Sequence, residues 1–80
     1  MRPVAYYTAL ELQTLAAETR AAWGAEHPHM FVPPTQSYRL VTYINGDANL
    51  VVSFKARPRG GSQYAVQNIA IDLSPGARDA

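Results

Sequence analysis

Residues 37–56 read SYRLVTYINGDANLVVSFKA. Two runs rich in β-branched and aromatic residues flank Asn45-Gly46, a dipeptide that marks a tight turn between antiparallel strands. With residues 45–49 as the loop, Ile44 faces Leu50, Thr42 faces Val52, Leu40 faces Phe54 and Tyr38 faces Ala56. That pairing gathers an apolar set on one side, as a buried sheet face requires. A third run, QYAVQNIAIDL at residues 63–73, continues the pattern. Pairing Val52 with Ile69, Leu50 with Ile71 and Ala56 with Ala65 keeps the apolar face together.

Upstream, YTALELQTLAAETRAAWG at residues 7–24 carries a helix signature. Thr8 followed by Glu11 forms a capping box, and Tyr7 and Leu12 are spaced for a hydrophobic staple. Leu12, Leu15, Ala16, Thr19, Ala22 and Trp23 follow the i, i+3, i+4, i+7 spacing of one buried stripe. Gly24 supplies a left-handed stop. Residues 25–36, AEHPHMFVPPTQ, hold three prolines and no period, and read as a loop crossing the core. The tail SPGARDA at residues 74–80 is expected to fray, and residues 2–6 could add a short edge strand. The expected fold is α+β: one domain over residues 1–80, with an N-terminal helix on a three-stranded antiparallel β-meander.

Composition narrows the function. A chain of 80 residues buries only roughly 60–65% of its unfolded surface, so its stability margin is thin. The absence of cysteine removes disulfides, thiolate zinc sites and cysteine catalysis. Charged residues make up 16%, below the usual figure of about 25%, which leaves a surface less repulsive to other proteins. Residues 1–36 set Arg2 and Arg20 against Glu11, Glu18 and Glu26. Residues 37–80 set Arg39, Lys55, Arg57, Arg59 and Arg78 against Asp47, Asp72 and Asp79. The asymmetry is mild beside that of a nucleic-acid-binding domain. No apolar run of about 18 residues spans a membrane, and MRPVAYY lacks the core of a secretory signal. A soluble, cytoplasmic protein is expected.

The stretch KARPRGGSQY, residues 55–64, is the most basic in the chain. Its glycines suit a connection needing positive φ, and successive backbone N–H groups there could cup an anion. The spacing is not that of a P-loop. Glu26, His27 and His29 are too few for a metal site. Ser53, Asp47, Asp72 and Asp79 assemble no catalytic constellation. No enzyme activity, cofactor or metal is expected.

The same register sets the opposite sheet face: Arg39, Val41 and Tyr43, then Val51, Ser53, Lys55 and Arg57, then Tyr64, Val66, Asn68 and Ala70. Arg39 is expected beside Lys55, and Arg57 beside Tyr64. Like charges directly opposite are unfavourable, which points to an acidic partner or to arginine stems lying over the aromatic rings. An apolar centre with tyrosine and arginine around it is the composition of a binding patch. Arg39, Tyr43, Lys55, Arg57, Arg59 and Tyr64 are therefore the candidate partner-binding residues. The expected function is a non-enzymatic small protein that docks on a protein partner and inhibits it. Phage or mobile-element inhibitors such as anti-CRISPR proteins, and immunity or antitoxin proteins, work in this way at this size. A homodimer through the same face or an edge strand is compatible with that role. The alternative is nucleic-acid binding through the basic rim, with tyrosines stacking on bases. The helix–strand–strand–strand order resembles the first four elements of a double-stranded-RNA-binding domain. That domain then needs a second helix opening with lysines, which SPGARDA does not provide, and no function is carried over.

Overall fold

The computed structural model describes residues 7–73. A helix, α1 (Ala9–Glu26), precedes four strands: β1 (Met30–Phe31), β2 (Ser37–Thr42), β3 (Ala48–Pro58) and β4 (Ala65–Asp72). The α+β architecture with an N-terminal helix on an antiparallel sheet is thus as expected. The added strand is the two-residue β1, which lies inside the predicted loop. The proposed edge strand at residues 2–6 and the 74–80 tail lie outside the described residues.

β3 is the spine of the sheet. β4 runs antiparallel along one side of it from Asn49 to Ala56. The other side is shared: β2 pairs with Ala48–Ser53, and β1 pairs with Arg57 and Pro58. Along β3, Ala48, Leu50, Val52, Phe54 and Ala56 are buried while the odd-numbered positions are not. This period-2 alternation is what a strand covered on one face requires. The helix supplies the cover. Ala16 joins Ala48, Leu50, Val52, Phe54 and Leu73 in the core, with Tyr7, Leu12, Leu15 and Trp23 packed around them. Trp23 meets Phe54 edge-on at 5.5 Å between ring centroids.

The helix begins as its sequence dictates. Thr8 Oγ1 accepts from the Glu11 N–H, and Glu11 Oε1 accepts from the Thr8 N–H, both at 3.1 Å. Its end differs from expectation. Gly24 does not adopt positive φ, and the helix runs on to Glu26 with His27 as its cap. His27 takes over the capping role: its ring stacks on Trp23 at 3.9 Å and its Nδ1 lies 2.7 Å from the Trp23 carbonyl. A side chain that occupies one of the helix's last open carbonyls does the work of a glycine stop. Ala22, assigned to the buried stripe, is exposed.

The β3–β4 register is the expected one, with Val52 opposite Ile69, Leu50 opposite Ile71 and Ala56 opposite Ala65. The β2–β3 register is not. Leu40 faces Leu50 and Tyr38 faces Val52, a slip of four residues from the predicted pairing. The turn is the cause. Tyr43 N–H donates to the Asp47 carbonyl, Gly46 N–H donates to the Tyr43 carbonyl, and Gly46 sits at φ 90°. This is a three-residue hairpin loop with a glycine in the left-handed position. Asn45 Oδ1 also accepts from the Asp47 N–H. Asn45-Gly46 therefore centres the hairpin on itself instead of opening a longer loop. An even-numbered slip preserves the inward and outward parity, so alternation alone could not detect it. Its consequences are local: Ile44 stands fully exposed at the turn, and Leu40 is 41% exposed instead of lying over Phe54.

Candidate functional site: the open face of the sheet

The face of β3 turned away from α1 carries Asn49, Val51, Ser53, Lys55 and Arg57, and no described element covers it. Its rungs follow from the observed registers. Val41, Asn49 and Asp72 form one, Arg39, Val51 and Ala70 the next, then Ser37, Ser53 and Asn68. Lys55 and Val66 follow, and Phe31 pairs with Arg57 at the far end. The tyrosines stand at opposite ends. The Tyr43 hydroxyl accepts from Asn49 Nδ2 at 3.4 Å, and Tyr64 lies beside Arg57. Both rings are exposed, as is Val66 at 68%. In the middle, Ser53 Oγ donates to Asn68 Oδ1 at 2.6 Å across the strands.

The predicted Arg39–Lys55 neighbourhood does not exist. Arg39 lies beside Val51, four residues from Lys55 along β3, or about 13 Å at the strand rise. No like-charge repulsion across the strands remains to be explained, and the inference of an acidic partner from that repulsion is withdrawn.

The arginines near the β3–β4 turn have internal work. Arg57 Nη1 donates to the carbonyls of Pro58, Arg59 and Gly61, and its Nε donates to the Tyr64 hydroxyl. Its guanidinium also sits 4.7 Å from the centre of the Phe31 ring. A planar five-donor group suits this converging set of acceptors better than any other side chain. The turn thus points carbonyls at its own cation and is not an amide cup for an anion. Neither Gly60 nor Gly61 has positive φ. Arg59 Nε donates to the Pro28 carbonyl at 2.9 Å, tying the turn to the end of the helix. Arg57 and Arg59, two of the six candidate residues, therefore hold the fold together. Arg39 and Lys55 are left as the exposed cations of the face.

The Tyr64 ring is also committed. The Lys55 ammonium lies 5.0 Å from its centre and the Arg57 guanidinium 5.7 Å. Cations over an aromatic face are held by the ring quadrupole, and a ring occupied in this way is a poor platform for a nucleobase.

One feature of the face gave no sequence signal as a site. β1 ends at Phe31, opposite Arg57, and β2 begins at Ser37, opposite Ser53. Pro33 and Pro34 lie in the connection. Proline has no N–H to give a ladder, so the rung at Lys55 has no strand partner on that side. The result is a notch of about 380 Å³ bordered by Gln36, Ser53, Phe54, Lys55 and Val66. It opens onto the outward face. The proline pair was visible in the sequence, but its position opposite Lys55 follows only from the register.

His27 is occupied by Trp23, and the His27 and His29 rings lie 6.2 Å apart. No group of three or more metal-ligating side chains occurs among the described residues. No described helix is long and apolar enough to cross a membrane. No family model matches the chain, and neither a curated protein nor a solved structure shows significant similarity to it.

Proposed function

We propose that this is a non-enzymatic protein-docking module that works by covering part of a protein partner with its open sheet face. The observation that carries this reading is the surface, covered by no described element, that runs from Tyr43 through Val51 to Val66 and Tyr64. Val41, Val51 and Ala70 on one side and Val66 on the other give it apolar area flanking the polar Ser53–Asn68 rung, Arg39 and Lys55 are its exposed cations, and the notch beside Lys55 indents it. Exposed apolar area framed by tyrosine and arginine is what protein interfaces use, and a concavity receives a partner's anchoring side chain. The strands lock the face from below, so little ordering entropy is lost on binding. Occluding a partner's working surface, as small inhibitors carried by phages or mobile elements do, is the role most compatible with this size. The occupied Tyr64 ring and the internal use of Arg57 and Arg59 weigh against nucleic acid.

The test compares the wild type with an Arg39→Glu/Lys55→Glu variant as affinity baits against the native host's soluble proteins. Arg39 is exposed and the Lys55 ammonium rests only on the exposed Tyr64 ring, a contact of small worth at the surface, so the thermal midpoint should change little. The expected result is a partner retained at stoichiometric amounts by the wild type and lost by the variant. Equal retention by both would show that this face is not the docking surface. A salt-sensitive shift of labelled DNA or RNA, absent in the variant, would move the reading to nucleic acid.

A further inference from the structure

The structure assigns a second interface, distinct from the open face: the Val66–Ala70 edge of β4, with which no other described strand pairs and which we infer pairs antiparallel with β4 of a second copy about a twofold axis at Asn68. The direction of the backbone groups supports it. The Arg59 N–H donates to the His29 carbonyl and the Tyr43 N–H to the Asp47 carbonyl, whereas the Leu73 N–H donates to the Ala48 carbonyl. Odd residues of β3 therefore turn their peptide groups toward β1 and β2, and even residues toward β4. In an antiparallel ladder these directions alternate strictly. Ala65, Gln67, Ile69 and Ile71 consequently bond to β3, and Val66, Asn68 and Ala70 point their N–H and C=O groups outward.

Among the described residues this edge has none of the usual protection. Free edges are ordinarily blunted by lysine, proline, a bulge or shortness. β4 runs for eight residues as AVQNIAID, without lysine, arginine or proline. Its register against β3 is unbroken. The other free edge, on β2, is shorter and has Arg39 in its middle.

A second copy fits because the edge is self-complementary. With Asn68 on the axis, Val66 meets Ala70 of the second copy and Asn68 meets itself. Each pair exchanges both backbone bonds, and no like charges are opposed. On the helix side, half-buried Ile69 and Ile71 gain Gln67 and Ala65 of the second copy as neighbours. On the open side, exposed Val66 gains Ala70 of the second copy as a neighbour and stays part of the docking face. The thin core supplies the need: three of the seven buried hydrophobic residues are alanines. Small domains with little core commonly complete it by oligomerising, and a second copy is the one partner present whenever the chain is. The product is a continuous sheet with both helices on one side and both docking faces on the other.

Asn68→Cys provides a specific test, because the chain has no other cysteine. Directly opposed residues of a bonded antiparallel pair have Cα atoms about 5.5 Å apart, within disulfide range. The full chain should sediment at twice its mass across a concentration series. Asn68→Cys should oxidise rapidly to a covalent dimer, and Thr42→Cys, on the opposite edge, should not. Asn68→Lys, which sets like charges against each other on the axis, should shift the chain to monomer while its circular dichroism stays native. A monomeric wild type, or equal oxidation of the two cysteine variants, overturns the assignment. So does a monomer whose Val66, Asn68 and Ala70 amides resist hydrogen exchange, since another segment of the same chain would then cover the edge. Loss of this interface leaves the Arg39/Lys55 test unaffected, so the two readings fail separately.

Discussion

The Arg57 guanidinium donates to the Tyr64 hydroxyl at 3.3 Å while lying over the Phe31 ring at 4.7 Å. It thereby joins β1, β3 and the approach to β4 at one point. The most basic stretch of the chain is thus a structural clasp, and Arg39 and Lys55 are the cations that the described sheet face exposes.

Arg57→Ala should destabilise the protein by about 1.5–3 kcal/mol, the usual worth of hydrogen bonds from a charged donor. Arg57→Lys should recover less than half of this, since an ammonium cannot reproduce the fork of donors. Chemical denaturation measures both. A neutral effect of Arg57→Ala would mean that the carbonyls of Pro58, Arg59 and Gly61 are equally well served by water.

The observed hairpin register separates two leucines that alternation treats alike. Leu50→Ala should cost about 2–5 kcal/mol, as for a fully buried leucine. Leu40→Ala, at a position 41% exposed, should cost under about 1 kcal/mol. Similar losses at both sites would support the register that places Leu40 over Phe54.

Gly46 occupies φ 90° and a Cβ added there would meet nothing within 4 Å, so Gly46→Ala tests backbone strain free of steric clash. The expected cost is about 1 kcal/mol, seen as a lower denaturation midpoint with an unchanged m-value. Gly24→Ala should be neutral or stabilising. A Cβ at Gly24 would meet Val32 at an ordinary 3.6 Å, and alanine has the higher helix propensity.

Thr8→Ala removes the acceptor for the Glu11 N–H and should cost about 1 kcal/mol. Glu11→Gln keeps the reciprocal bond to the Thr8 N–H and should cost less. Thermal unfolding followed at a helix-sensitive wavelength checks the order, and a reversal would locate the N-cap elsewhere.

The helix start, three of the four strands, the Ile69 and Ile71 pairings, and the burial of Leu50, Val52 and Phe54 were all readable from residue order. The Arg57–Tyr64 neighbourhood was readable too, because it rests on the same β3–β4 register. The two-residue β1 was not, since two residues carry no period and Met30-Phe31 gains its strand geometry only by pairing with Arg57 and Pro58. Arg59 offered no signal of its internal role: its acceptor, the Pro28 carbonyl, is 31 residues away in the chain.

By itself the sequence determined which side of β3 and of β4 is buried. Side-chain direction alternates residue by residue, and one inverted strand would expose its whole apolar set. Tertiary structure alone decided which outward residues are neighbours. Slips of two or four leave that alternation intact, and turn hydrogen bonds at Asn45-Gly46 and the missing donors of Pro33 and Pro34 select among them. That choice moved Arg39 away from Lys55 and opened the notch beside Lys55.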